Sequence, residues 1–293
     1  MEMENLPDFD ALWDFDHPDE TERKFREILQ TASGADPGYR AELLTQIART
    51  QGLQRKFEEA HHTLDGLKDG LAAASPRVQV RYRLERGRVF NSSGQPALAR
   101  PLFLEAYDLA SAGSEDPLAV DAAHMLGIVE PPEKALEWDY KALSLAERSA
   151  DPKARKWLGT LYNNIGWTLH GAGKYDEALT LFEKALAFRE QQKNAPLIQT
   201  AKWCVARGLR SLGRTTEALD AQRALLAEFE AAGQRDGYVF EELGECLLAL
   251  GRPEEARPWF SRAFEELSKD PWLRENEAPR LERLKSLASA PPG

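Results

Sequence analysis

The chain has 293 residues, 42% hydrophobic and 29% charged, with a formal net charge of −10, a composition that sustains a packed core and excludes wholesale disorder. Its two cysteines, Cys204 and Cys246, exclude a disulfide scaffold or an all-cysteine zinc site and point to a reducing compartment. No apolar run approaches the roughly 18 residues of a membrane span, and the acidic start MEMENLPDFDALWDFD is the opposite of a basic secretory leader, so a soluble, cytoplasmic protein without a membrane partner is expected.

Residues 1–18 read as an acidic leader. The first 20 residues hold eight carboxylates and no lysine or arginine, which leaves the remaining 273 residues nearly neutral. Phe9, Leu12, Trp13 and Phe15 are interleaved with those carboxylates, the pattern of an acidic-hydrophobic ligand segment. Two readings follow: a cap over the first helix, or an occupant of a binding groove that would drive self-association. Residues 19–36 predict a helix from Asp19 to Ala32 and a turn.

From residue 37 to residue 270 the turn signals are periodic. Pro37, Pro76, Pro117, Pro152, Pro196 and Pro271 each precede a long helix-compatible stretch, as suits a residue whose missing N–H costs nothing in a first helical turn. Between them a small residue follows a polar or glycine-containing turn at Ala60, Ala99, Ala135, Ala178, Ala218 and Ala256, at intervals of 39, 36, 43, 40 and 38. Six units of two helices result. In the best-preserved one, LYNNIGWTLHGAGKYDEALTLFEKAL over 161–186, Gly166 permits close helix approach, Gly173 ends the first helix in a left-handed turn, and Ala178, Phe182 and Ala185 share a face of the second. Neither helix buries that face alone, so such units stack. Pro101 and Pro258 fall inside second helices, where a local kink is expected. Residues 271–293 predict a final capping helix from Pro271 to Ser289, carrying Arg274, Arg280, Arg283 and Lys285 on a polar surface, and a frayed ASAPPG end.

These units resemble the tetratricopeptide repeat family over residues 37–270, with Ala-x-x-x-Phe intact at Ala99/Phe103, Ala178/Phe182 and Ala256/Phe260. Leu64, Asp139 and Gln222 replace the aromatic in the other three units, and Ser111, Glu147, Glu190 and Glu230 stand where the family's closing proline would be. The helices are therefore longer than in the 34-residue form, similar to the subclass of about 40 residues that includes kinesin light chains and bacterial peptide-sensing proteins. The resemblance implies an all-α, right-handed α-solenoid of six helix pairs with an N-terminal helix and a C-terminal capping helix.

It also implies a ligand groove lined by first helices. Taking Ala48, Gly87, Ala123, Gly166, Ala206 and Gly244 as the close-packing position, the residues carried onto that face are Arg49, Arg81, Arg88, His124, Asn163, Trp167, His170, Trp203, Arg207 and Arg210, followed by Tyr238, Glu241 and Glu245. Arginine offers a planar fork for carboxylate and tryptophan a rigid anchor, so the face predicts an acidic peptide with aromatic or aliphatic anchors. The alternative is that the arginines pair with carboxylates on neighbouring helices and the tryptophans fill gaps between repeats. The register of the second repeat is ambiguous, because Arg77, Arg81, Arg83, Arg86 and Arg88 surround one helix and Arg83 and Arg86 fall where apolar residues are expected. Asn163 and Asn164 resemble the asparagines with which long-repeat relatives hold a peptide backbone. Thr45 and Arg49 stand where chaperone-binding members carry a lysine and an asparagine, so binding of a chaperone tail is not expected.

Chemistry is not signalled. His61 and His62 are adjacent, about 100° apart on a helix, and do not chelate one metal. HExxH, CxxC, GxSxG and glycine-rich phosphate motifs are lacking. No catalytic residues, cofactor or metal are predicted. The sequence reads first as a non-enzymatic scaffold for a protein or peptide. The alternative is a peptide-responsive regulator of the bacterial sensor type, against which stands the lack of a helix-turn-helix domain before the repeats. Hydrolase activity has no constellation to support it. Nucleic-acid binding is disfavoured by the acidic leader and near-neutral body.

Overall fold

The computed structural model describes residues 6–32 and 36–289. Residues 1–5 of the leader, and residues 290–293 of the tail expected to fray, lie outside the described residues. The chain divides into two compact units, Met1–Leu161 and Tyr162–Gly293. Among the described residues it is helical throughout, with no strand, and its fold class is the all-α solenoid.

In the first unit a 3-10 turn, Phe9–Leu12, precedes α1 (Pro18–Thr31). Three pairs follow: α2 (Pro37–Leu53) with α3 (Phe57–Asp65) and the one-turn α4 (Lys68–Leu71), α5 (Pro76–Ser92) with α6 (Pro96–Ala112), and α7 (Asp116–Val129) with α8 (Pro132–Arg148). A single turn, α9 (Pro152–Arg155), leads to α10 (Leu158–Gly171), within which the division falls. The second unit pairs α10 with α11 (Tyr175–Gln192), α12 (Ala195–Ser211) with α13 (Thr215–Ala231), and α14 (Gly237–Ala249) with α15 (Pro253–Leu267), then adds α16 (Pro271–Asn276) and α17 (Ala278–Ser289).

The helix starts are coded locally. Asp36, Ser75, Asn194 and Asp236 accept hydrogen bonds from backbone N–H groups of the first turns of α2, α5, α12 and α14, which satisfies donors that a helix leaves orphaned. Gly173, at φ 76°, turns α10 into α11. Two expectations need correction. The helix expected from Pro271 to Ser289 is two, because Pro279 lacks the N–H that would continue the ladder and its ring crowds the preceding turn; Glu277 takes the break. The stretch after Pro152 is likewise interrupted, at Lys156–Trp157. The helices run on through Pro101 and Pro258.

A size match explains where the aromatic of the repeat is kept. A methyl group on Gly87, Gly166 or Gly244 would lie 2.5, 2.6 or 2.7 Å from the ring of Phe103, Phe182 or Phe260, so each buried ring requires a bare backbone opposite it. Where the slot holds Leu64, Asp139 or Gln222, the residue aligned with those glycines is Ala48, Ala123 or Ala206. Leu64 packs in one cluster with Ala48, while Asp139 faces Gly127, where a methyl group would clash with its carboxylate. At Leu64 the smaller filler leaves room for the methyl of Ala48. Ala60, Ala99, Ala178, Ala218 and Ala256 are essentially fully buried, whereas Ala135 is only half-buried. Phe25, Leu43 and Ile47 close the start of the first unit's core, with Phe9 of the leader packed on them. Phe240, Leu243, Phe260 and Leu284 are central to that of the second. Among the described residues no helix is long and apolar enough to cross a membrane.

Candidate functional site

The face of first helices differs between the units. In the first unit every arginine predicted to face a ligand meets a carboxylate of its own chain. Arg81, almost wholly buried, reaches Asp10 at 2.5 Å and Glu42 at 3.0 Å. Arg88 is held by Glu85 at 2.6 Å and by Asp121, and Arg49 lies 3.6 Å from Glu85. Arg77 completes the network with Glu42 and Glu115 at 3.0 and 2.6 Å. Burial pulls the Arg88 guanidinium down, and Asp121 and Glu85 more than offset it, leaving it above the ordinary value. His124 leans on Trp157, 5.3 Å between centroids, and burial holds it below the usual histidine range, so it is neutral at pH 7.

The ambiguous register of α5 resolves by the same pairing. Arg83 turns to Glu105 on α6, while Arg86 bonds Asp65 and His61 on α3. His61 is thus occupied by an arginine.

The leader lies on this face in cis. Phe9 packs edge-on against Phe25 and Tyr39, Asp10 takes Arg81, the Trp13 indole donates to the Gln46 side chain at 3.2 Å, and the Arg49 guanidinium sits over the stacked rings of Trp13 and Phe15. It caps the first pair through Phe9 and covers Arg49 and Arg81 through its polar and aromatic groups.

In the second unit the face is aromatic. Trp167 on α10 lies 5.8 Å from Trp203 on α12 and 5.1 Å from His170, which in turn neighbours Tyr175, and Trp203 neighbours Tyr238 on α14 at 6.3 Å. The rings of Trp167, His170 and Trp203 are half-buried, and Tyr238 is exposed. His170 bonds Ser211 at 2.8 Å, and burial, aided by Arg207 and Arg210, lowers its pKa. Arg210 pairs with Glu242 on α14, whose carboxyl is raised by burial against the arginine's pull. Arg207 is held more loosely, 3.8 Å from Glu242 and 3.5 Å from Ser211. Asn163 accepts from the Cys204 thiol at 3.4 Å and donates to Asn164 at 3.3 Å. Arg280 and Arg283 of α17 occupy Glu241 and Glu245. Burial pushes the Cys204 thiol up to about 11 and Cys246 to about 12, so both remain protonated and unreactive at neutral pH.

A regularity ties these pairs together. The acids Glu85, Asp121 and Glu242 each stand two residues before a close-packing residue, and Arg49, Arg88 and Arg207 each stand one after it. Each such arginine faces the acid of the next repeat. In the fourth repeat the two positions hold Asn164 and Trp167, and in the fifth the acid is replaced by Cys204. Aligning the six units on their glycine or alanine makes the missing carboxylates legible; reading the arginines alone does not.

Residues 129–191 and 206–271 match family models described as tetratricopeptide repeats. Outer dynein arm-docking complex subunit 4 of Danio rerio is 28% identical over 124 residues, 41% of this chain, which spans only 25% of that relative's length. Among solved structures, the apo form of RapI has a TM-score of 0.74 at 12% identity, with 94% of this chain and 78% of that one covered. The apo form of the quorum sensor NprR from B. thuringiensis has 0.63 at 18% identity, with 92% and 76% covered. At these identities the structural likeness is one of fold.

Proposed function

Because this chain is a tetratricopeptide-repeat protein, we propose that it is a non-enzymatic interaction scaffold whose second unit binds a linear partner segment on the face of Trp167, His170, Trp203 and Arg207. The observation that carries this reading is the half-exposed Trp167/Trp203 pair beside Arg207, which is held less tightly by its carboxylate than the other arginines predicted on the face. Rigid rings supply anchoring area at low entropic cost, and a guanidinium at 3.8 Å from its partner retains hydrogen-bonding capacity for a second carboxylate. The preferred segment is acidic with aromatic or aliphatic anchors. The chain's own leader is a sample of that chemistry, with Asp10 on Arg81 and two rings under Arg49.

The test is capture from peptide libraries of opposite charge. Acidic-aromatic peptides should bind and basic ones should not, with association slowed by salt because exposed charges steer encounter over a Debye length of about 8 Å. Trp167→Ala with Trp203→Ala should weaken binding by at least about a hundredfold, a loss of about 3 kcal/mol. Equal enrichment of basic peptides, or undiminished binding by the double variant, refutes the reading.

A further inference from the structure

Each unit carries a cavity beside the starts of two successive first helices. In the first unit it encloses about 710 Å³ and is lined by Gly38, Tyr39 and Glu42 of α2, Leu71 of α4, Val78 of α5, and Phe9 of the leader. In the second it encloses about 740 Å³, between Gln199, Thr200 and Trp203 of α12, Phe229 of α13 and Tyr238 of α14. Both volumes fall in the range of about 300–1,000 Å³ usual for ligand sites.

The places correspond residue by residue. With Ala48 and Ala206 aligned, Gly38, Ala41 and Glu42 of the first cavity match Pro196, Gln199 and Thr200 of the second. The second opens where α14 begins at Gly237, seven residues before Gly244, whereas α12 begins eleven before Ala206; one helical turn is missing above Trp203. In the first unit an aromatic side chain from outside the repeats lines the corresponding space. Phe9 lies edge-on to Tyr39, whose hydroxyl donates to the Pro7 carbonyl at 2.9 Å, so the leader backbone is held beside the ring that is buried.

We propose that the cavity of the second unit is the anchor pocket for an uncharged aromatic side chain of a partner segment. This deepens the reading given above and rests on it, because Trp203 belongs both to the cavity wall and to the aromatic face, making the two surfaces continuous. Three rings, Trp203, Phe229 and Tyr238, wall the space. The Trp203 indole N–H is committed to the Tyr238 carbonyl at 3.1 Å, which fixes the ring and leaves its face for stacking. The charged groups at the mouth are engaged within the chain: Arg235 pairs with Glu266 at 2.7 Å and Glu265 at 3.4 Å, and Asp236 caps α14 through Tyr238 N and Val239 N. Inside, where Trp203, Phe229 and Tyr238 form the wall, an entering lysine or glutamate would lose hydration, so the pocket selects a neutral ring. The acidic residues of the segment then fall outside it, toward Arg207.

The probe is N-acetyl-L-phenylalaninamide, with N-acetyl-L-lysinamide as control, titrated into full-length protein whose tryptophan indoles are 15N-labelled. The Trp203 indole signal should shift saturably in the millimolar range with the phenylalanine probe and not with the lysine probe. Gln199→Trp, which fills the cavity from a half-exposed wall position, and Thr200→Phe, which fills it from an exposed one, should each weaken the probe by at least about tenfold, or 1.4 kcal/mol. Trp167 does not line the cavity, so Trp167→Ala should weaken a bound segment far more than it weakens the probe, whereas Gln199→Trp should weaken both, and the pocket and the aromatic face fail separately. An unmoved Trp203 signal, or an equal shift with the lysine probe, overturns the proposal.

Discussion

The two units share one repeat plan and arrange their polar groups differently. In the first, arginines and acids of successive first helices close on one another and the leader covers what remains, so guanidinium groups that look available in the sequence are bound internally. In the second, tryptophan interrupts the same ladder and leaves half-buried rings beside a cavity. An arginine in a repeat array therefore says little about ligand charge until the acid of the next repeat has been found.

Helix packing gives the largest expected contrast. Ala178 in the second unit is fully buried, and Ala135, at the corresponding place in the first, is half-buried. Ala178→Arg should cost on the order of 3–5 kcal/mol through overpacking and an unpaired charge, whereas the Ala135→Arg side chain can extend to water at a cost of about 1 kcal/mol or less. Urea unfolding read by helical circular dichroism compares them, and equal midpoints would mean that the two slots are packed alike.

Charge removal sharpens the contrast between the units. Arg81→Gln removes the buried cation that bridges Asp10 and Glu42 and leaves them only the more exposed Arg77, and should destabilise by about 2–3 kcal/mol. Arg207→Gln, whose partner Glu242 keeps Arg210, should cost no more than about 1 kcal/mol. If thermal melts show Arg207 to matter as much as Arg81, the face of the second unit is as internally committed as that of the first.

The smallest effects lie in the aromatic slots that hold polar residues. Burial pushes the Asp139 carboxyl up to about 6, and Gln222 is fully buried with neither amide atom paired. An acid raised on folding binds its proton more tightly in the native state, so its contribution to stability is greatest below about pH 4 and declines as pH rises toward 6. Asp139→Leu should therefore stabilise by about 1–3 kcal/mol at pH 7 and far less at pH 4. Gln222→Leu should stabilise by about 1–2 kcal/mol at both pH values. Leu64, buried beside Ala48, shows that the slot of one repeat accepts leucine. A gain at Asp139 that did not change with pH would show that its carboxyl is hydrated.

Much of the fold was legible because its determinants are local. Proline in first turns and the small residue that follows each turn lie within one helix pair, and their period placed six pairs. The breaks before Ala278 and after Arg155 were missed, the first because a proline beside a good helix former reads equally as a start or an interruption. Of the candidate site, the positions on the first helices were legible and their occupancy was not. Asn163, read as a backbone clamp, is engaged by Cys204, and nothing adjacent in the chain signals that contact.

The sequence by itself determined the repeat, its length, its close-packing residues and the aromatic and basic positions on one face, since each depends on neighbours a few residues away. Only the tertiary structure decided which of those positions stay available. The ion pairs join residues 33 to 36 apart, the leader reaches Arg81 from Asp10, and the cavity beside Trp203 depends on where α14 begins. Charge pairing and enclosed volume are set by distances between helices, and those exist only once the repeats have stacked.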